Sequence, residues 1–192
     1  MRTETLLPQT IRRIVLTGFM GAGKSTIGAL LAQRLGWRFA DSDALIEARA
    51  GLTIAQIFAE QGEEVFRALE TDAIRGCAQE EQLVLALGGG AVESGLTREA
   101  LAGLDEVLVV FLDAPLEVMV ERCVAQPGAA ERPVLADRER LAARLAARLP
   151  HYRTAHLTVK TADLTPEDVA EQILESLRDR EMPLPGALRQ KG

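Results

Sequence analysis

Cysteine, lysine and long apolar runs are all scarce in this chain of 192 residues. The two cysteines, Cys77 and Cys123, are too few for a disulfide framework, and their spacing matches no zinc motif. The longest apolar stretches, such as 107–112, fall far short of the roughly 20 residues that cross a membrane. The first 13 residues lack the apolar region of a signal peptide. We therefore expect a cytoplasmic protein with no membrane partner.

Excess basic charge is absent as well. The chain carries 22 basic and 28 acidic residues, a formal net charge of −6, whereas proteins that bind nucleic acid nonspecifically are usually basic. We therefore expect no nucleic-acid partner. The hydrophobic share of 47% and the charged share of 26% are ordinary for a globular protein. The length predicts one domain, over 12–180, with tails at 1–11 and 181–192.

Short apolar runs alternate with longer segments of helical character. A helix over 24–35 is expected to end at Gly36, Thr53 and Gln56 form a capping box, and Thr165 precedes a proline at a helix start. This alternation predicts an α/β fold with a mostly parallel sheet and helices on both faces, which binds ligands at the carboxyl ends of its strands. The predicted strands are 13–17, 37–40, 83–87, 107–112 and 157–160.

A phosphate-binding loop follows the first predicted strand. Residues 18–25 read GFMGAGKS and match G-x-x-x-x-G-K-[ST] between a strand and a helix. Its glycines let backbone N–H groups surround a phosphate, and the following helix N-terminus adds its positive dipole end. Lys24 can reach the β- and γ-phosphates, and the Ser25 hydroxyl can ligate Mg²⁺. The motif predicts nucleotide binding but leaves the acceptor open.

Two carboxylates follow the second predicted strand, in the sequence Asp41-Ser42-Asp43. In extended backbone, residues i and i+2 point to the same side, so both carboxylates are expected to face one space. One can serve Mg²⁺ through water, and the other can accept a hydrogen bond from an acceptor hydroxyl. The alternative is a pair of turn aspartates that cap the next helix.

Several arginines and glycines are further candidates, each with a structural alternative. Arg67 lies early in a predicted helix, where Glu63 and Glu70 can simply pair with it. The glycines at 88–90 permit close backbone approach to a ligand or form a tight turn. Arg148 precedes Pro150, which predicts a break or kink that turns its side chain into a cleft.

The segment 123–132 is rich in small residues, with a proline and a glycine, and is predicted to be a flap. Arg132 stands at its end. An arginine there can close over a transferring phosphoryl group and neutralise its charge, and the alternative is an exposed loop arginine.

Together these segments carry a family resemblance. The loop GFMGAGKST, the pair DSD, and then GEEVFR, LGGGAV, RPVL and RLPHY occur in the order and spacing of shikimate kinases. The phosphate loop alone is shared by many nucleotide-binding enzymes, whereas GEEVFR, GGGAV and RPVL are more specific. The chain thus resembles the shikimate kinase family over about residues 12–178.

The resemblance implies a P-loop kinase, a three-layer α/β/α domain with a five-stranded parallel sheet in the order 2-3-1-4-5. It implies transfer of the γ-phosphoryl group of Mg-ATP to the 3-hydroxyl of shikimate by a monomer. A different small-alcohol kinase such as a gluconate kinase, an ATP-binding regulatory module and a nucleic-acid-binding ATPase are the competing hypotheses. The first would lack an arginine pair for a cyclic carboxylate, and the second would need no acceptor-side carboxylate.

The resemblance also assigns roles to residues of this chain. Lys24, Asp43 and Arg132 would be catalytic, and Asp41 would support the metal through water beside Ser25. The shikimate site would comprise Asp43, Arg67, Gly88, Gly89, Gly90 and Arg148. The ATP site would comprise Gly21, Ala22, Gly23, Lys24, Ser25, Thr26, Arg122 and Arg132.

Overall fold

Five parallel strands form one sheet in the order β2-β3-β1-β4-β5, which confirms the predicted topology. The structure is a computed structural model that describes residues 11–125 and 137–178. The strands are β1 (Arg13–Thr17), β2 (Arg38–Asp41), β3 (Leu83–Ala86), β4 (Val107–Asp113) and β5 (Leu157–Lys160).

Helices connect the strands, as the alternation predicts. Gly36 ends the first helix in a left-handed conformation, and the capping box of Thr53 and Gln56 is present at α3. The described helices are α1 (Lys24–Leu35), α2 (Ser42–Ala50), α3 (Ile54–Glu60), α4 (Gly62–Ala78), α5 (Gly95–Ala102), α6 (Leu116–Val124), α7 (Arg138–Tyr152) and α8 (Pro166–Arg178), with a 3₁₀ turn at Ala91–Glu93.

Both faces of the sheet are buried. Ile14 and Leu16 of β1 pack into one hydrophobic cluster with α1 and α8, whereas Val15 packs into a second cluster with α4. This alternation follows from the two-residue period of a strand. Because all pairings are parallel, the carboxyl ends of the strands lie along one edge of the sheet. No helix of the described residues is long and apolar enough to cross a membrane.

Several predicted bounds need correction. β2 ends at Asp41, β3 at Ala86 and β4 at Asp113, each one residue from its predicted end. The second strand begins at Arg38 and not at residue 37, because the N–H of Trp37 donates to the Ala32 carbonyl and still belongs to the end of α1. Helix α7 continues through Pro150 to Tyr152 instead of breaking before it. A contact with β4 holds the last turn of α7, because the fully buried Tyr152 ring stacks on Phe111 with 5.2 Å between the ring centroids.

Candidate active site

The phosphate loop connects β1 to α1 at the carboxyl edge of the sheet. Gly18, Gly21 and Gly23 all have positive φ, and a Cβ at Gly21 would lie 2.1 Å from the Met119 carbonyl oxygen. Side chains at these positions would be strained, so the glycines let the loop curl tightly against α6. The predicted strand–loop–helix setting of the motif is therefore present.

Lys24 points back into this loop. Its Nζ donates to the carbonyl oxygens of Gly18 and Phe19, at 2.8 and 2.9 Å. Burial lowers the pKa of Lys24 to about 8, although the nearby carboxylates of Asp43 and Asp41 raise it in part. The Lys24 ammonium is thus held by two carbonyl oxygens. A bound anion could take their place as its partner and would supply a full negative charge.

Ser25 and Asp41 meet at the start of α1. The Ser25 hydroxyl donates to Asp41 Oδ2 at 2.7 Å, and the Asp43 N–H donates to Asp41 Oδ1 at 3.0 Å. Asp41 therefore caps α2 and also faces the phosphate loop, so the capping alternative and the proposed metal-side role are compatible. A hydroxyl and a carboxylate this close are hard oxygen donors of the kind that Mg²⁺ prefers.

The predicted extended backbone at Asp43 is wrong, because Ser42 and Asp43 are the first residues of α2. The buried Ser42 hydroxyl accepts a hydrogen bond from the Gly88 N–H at 2.8 Å and so ties α2 to the glycine turn. Burial raises the pKa of the Asp43 carboxyl, Asp41 adds to this increase, and Lys24 opposes it. Asp43 is thus a partly desolvated carboxylate beside the phosphate loop.

Arg67 is surrounded by carboxylates. Its guanidinium pairs with Glu70 at 2.8 Å, Glu63 at 3.2 Å and Glu93 at 3.3 Å, and it also donates to the Gly90 carbonyl at 3.1 Å. Glu63 and Glu70 are the neighbours that the sequence alternative named, but the Glu70 side chain is only 1% exposed. The pairing is therefore part of a buried network and is more than a surface contact.

Arg148 reaches the same place from α7. Its guanidinium donates to Glu93 Oε2 at 2.9 Å and lies 5.5 Å from the centroid of the Phe19 ring. Its Nε is buried and has no hydrogen-bond partner among the described residues. The structure thus brings Arg67 and Arg148, 81 positions apart in the numbering, onto one carboxylate oxygen.

The glycine turn lies in the middle of these groups. A Cβ at Gly88 would lie 2.3 Å from Asp43 Oδ1, and one at Gly90 would lie 3.1 Å from the Arg67 guanidinium. Gly89 lies beside the Arg148 guanidinium, and its carbonyl accepts a hydrogen bond from the Tyr152 hydroxyl. Side chains here would fill the space between the carboxylate and the two arginines, which supports the reading of this turn as part of a site.

A separate cavity of about 360 Å³ opens beside the phosphate loop. Arg122 lines it and donates to the hydroxyl and the carbonyl of the buried Thr161. The cavity is large enough for a flat heterocycle and adjoins the loop that would hold phosphates. Its lining residues include Gly21, Ala22, Gly23, Thr26, Arg122, Thr161 and Pro166.

Ser42, Glu93 and Tyr152 contact the acceptor side of the site and were not predicted as site residues. Ser42 and Tyr152 stand inside the quoted segments DSD and RLPHY, which could have identified them. Nothing local to Glu93 marks it, because its partners Arg67 and Arg148 lie 26 and 55 residues away. The predicted flap starts too early, because Cys123 and Val124 still belong to α6. Arg132 and positions 126–132 lie outside the described residues, so their roles stay predictions.

The sequence of this chain is similar to those of known shikimate kinases. The family model of shikimate kinase matches residues 20–178. The shikimate kinase of Geobacter sulfurreducens is 46% identical over 91% of this chain and 96% of its own length. That of Thermus thermophilus is 42% identical over 92% of this chain and 94% of its own length.

Solved structures agree with the sequence relatives. The shikimate kinase of Acinetobacter baumannii, in complex with shikimate, superposes with a TM-score of 0.80 at 37% identity. The match covers 90% of this chain and 96% of that protein. The chain therefore belongs to the shikimate kinase family and is an ATP-dependent kinase, a transferase that uses ATP as co-substrate.

Proposed function

We propose that this kinase transfers the γ-phosphoryl group of Mg-ATP to the 3-hydroxyl of shikimate and releases shikimate 3-phosphate and ADP. The observation that carries this proposal is the convergence of Arg67 and Arg148 on one carboxylate oxygen, beside Asp43 and the phosphate loop. Shikimate carries a carboxylate and a hydroxyl that would occupy these two places. Guanidinium groups match a carboxylate in both charge and planar geometry.

ATP is expected to lie across the carboxyl edge of the sheet. The adenine would enter the cavity beside Arg122, and the phosphates would accept hydrogen bonds from the loop N–H groups and from Lys24. Lys24 would then exchange its two carbonyl partners for phosphate oxygens and stabilise the charge that develops during transfer.

Ser25 and Asp41 fit a magnesium ion, because they present a hydroxyl and a carboxylate oxygen 2.7 Å apart at the end of the phosphate loop. Ser25 would bind it directly and Asp41 through water. When bound, the ion would supply positive charge that neutralises the phosphates of ATP. Arg132 is proposed to close over the same phosphates from the flap.

Asp43 is proposed to accept a hydrogen bond from the 3-hydroxyl and to take its proton as the oxygen attacks. Its proximity to Gly88 and the charge interactions of its carboxylate with Lys24 and Arg67 support this role. The raised pKa of this carboxyl makes it a better proton acceptor than an exposed aspartate. It also orients the attacking oxygen, which matters because phosphoryl transfer depends largely on positioning.

A coupled ADP-release assay with shikimate, gluconate and no acceptor tests the substrate. We expect ADP release with shikimate as the acceptor, and none with gluconate or without an acceptor. Arg67→Ala and Arg148→Ala should each raise the KM for shikimate by about thirtyfold or more and leave the KM for ATP nearly unchanged, since truncating one partner of a buried charge pair costs about 2–5 kcal/mol. Arg34→Ala is the control, because Arg34 pairs with Glu171 on the exposed surface.

Turnover with gluconate, or an arginine variant that changes only the KM for ATP, would contradict the assignment. A salt-dependent gel shift would separately reveal a nucleic-acid-binding ATPase. We further propose a cytoplasmic monomer, for which light scattering of the purified protein is the direct test of the oligomeric state.

A further inference from the structure

Glu93 occupies the point on which the two arginines converge. It ends the 3₁₀ turn Ala91–Glu93, and its Oε2 lies 2.9 Å from Arg148 and 3.3 Å from Arg67. Burial raises the pKa of the Glu93 carboxyl, but the hydrogen bond and charge of Arg148 and the charge of Arg67 outweigh burial and leave the pKa below its ordinary value. Glu93 is therefore charged at neutral pH and fills the place of a ligand carboxylate.

Both guanidinium groups are already paired with carboxylates. The two guanidinium groups face three carboxylates, those of Glu63, Glu70 and Glu93. A fourth carboxylate, from a substrate, would be brought close to these three unless one of them moved away. Like charges brought together at close range cost free energy, so an exchange of carboxylates is favoured over an addition.

Burial indicates which carboxylate can move. The Glu70 side chain is 1% exposed, and the Glu63 side chain is 68% exposed but pairs with Arg67 alone of the two arginines. The Glu93 side chain is 38% exposed and contacts both, so its movement alone frees both for a ligand. The backbone at Glu93 is held by other contacts. Arg98 donates to the carbonyls of Val92 and Glu93, and the Glu93 N–H donates to the Gly90 carbonyl. Only the side chain of Glu93 needs to rotate.

We propose that Glu93 is a resident carboxylate that holds Arg67 and Arg148 in place and is displaced by the carboxylate of the substrate. This inference rests on the proposed function, because it needs an acceptor with a carboxylate. It makes Glu93 a specificity-determining residue. The arginines exchange one anion for another and are never left without an anionic partner, while an uncharged acceptor gains nothing by displacing Glu93.

Displacement lowers the apparent affinity for the substrate. Where the binding-competent state has a fraction f, the apparent dissociation constant is the intrinsic one divided by f. If Glu93 occupies the arginines for about 70–90% of the time, its removal strengthens substrate binding about three- to tenfold. Glu93→Gln keeps the shape of the side chain and removes the charge that competes.

The experiment measures steady-state kinetics with shikimate and with its methyl ester, which lacks the charged carboxylate. Glu93→Gln should lower the KM for shikimate about three- to tenfold and leave kcat, the KM for ATP and the KM for the ester within twofold. Glu64→Gln is the matched control, because Glu64 is exposed on the first turn of α4 and its loss changes the net charge equally.

An unchanged or increased KM for shikimate in Glu93→Gln would overturn the proposal. So would an equal gain in Glu64→Gln or with the ester, because the effect would then be one of net charge or of general loosening. A wild-type enzyme that does not phosphorylate shikimate would overturn the proposed function and this inference with it. Wild-type activity without the gain in the variant would overturn the inference alone.

Discussion

Asp41 and Asp43 stand two positions apart and have different partners, which separates their expected roles. Asp41 accepts hydrogen bonds from Ser25 and from the Asp43 backbone, whereas Asp43 lies against Gly88 and within the field of Lys24. One carboxylate thus belongs to the phosphate side of the site and the other to the acceptor side. The same substitution at each position should produce distinguishable defects.

Asp43→Asn should lower kcat about 10²- to 10⁴-fold while ATP still binds, because the amide keeps the shape but cannot take the hydroxyl proton. Asp41→Asn should give a defect that eases as Mg²⁺ is increased, since Asp41 is assigned to the metal. The measurement is kcat for both variants across a Mg²⁺ titration. Rescue of the Asp43 variant by Mg²⁺ and not of the Asp41 variant would exchange the two roles.

The lowered pKa of Lys24 predicts a pH dependence of ATP capture. With a pKa of about 8 in the free enzyme, Lys24 is charged below pH 8 and loses its proton above it. The kcat/KM for ATP should therefore fall about tenfold per pH unit above that value, since this ratio reports the free enzyme. Bound phosphates favour the ammonium, so the fall in kcat should begin at higher pH. A kcat/KM that stays level between about pH 7 and 9.5 would contradict this.

Among the helices and strands, the sequence predicted the features that depend on residues a few positions apart. The Gly36 cap, the Thr53–Gln56 capping box and strand β5 all occur where the sequence indicates. Their determinants are backbone conformation and hydrogen bonds over a few positions. The phosphate loop was predictable for the same reason, because its motif specifies its own strand–loop–helix setting.

Two features that the sequence did not predict, the continuous helix at Pro150 and the helical conformation of Asp43, depend on other parts of the fold. Pro150 disfavours a continuous helix locally, yet Tyr152 is fixed by Phe111 and by the Gly89 carbonyl, 63 residues away. Asp43 is helical and not extended, because Asp41 turns the chain at the end of β2 and caps α2. In both cases tertiary packing outweighs the local preference of one or two residues.

The close approach of the glycine turn to Asp43 can be tested by substitution. Gly88→Ala should reduce kcat/KM for shikimate on the order of 10²-fold, because the new Cβ would lie 2.3 Å from Asp43 Oδ1 and force that carboxylate to move. Gly76→Ala in α4 is the matched control, since a Cβ there meets nothing within 4 Å. The control should retain activity and gain up to about 1 kcal/mol of stability. Full activity of Gly88→Ala would show that Asp43 need not be held in this position.

The acceptor site joins parts of the chain that are far apart in sequence. Asp43 belongs to α2, Arg67 to α4 and Arg148 to α7; α2 and α4 share one hydrophobic cluster, whereas α7 packs into another. The unfolded chain cannot assemble this set of groups. A ligand that binds it therefore stabilises the folded state alone, by an amount set by its concentration relative to its Kd.

Shikimate at about 100 times its Kd should add about 2.7 kcal/mol to the stability of the folded state. For a chain of this size that corresponds to an increase in Tm of roughly 5–10 °C. Arg148→Ala should lose most of this increase and keep the one produced by ATP, because Arg148 is absent from the cavity that Arg122 lines. Thermal unfolding of both proteins, with each ligand separately, measures these shifts. If ATP raised the Tm of the wild-type protein and shikimate did not, the arginine pair would not be a shikimate site. If Arg148→Ala kept the full shikimate shift, shikimate would bind without this arginine.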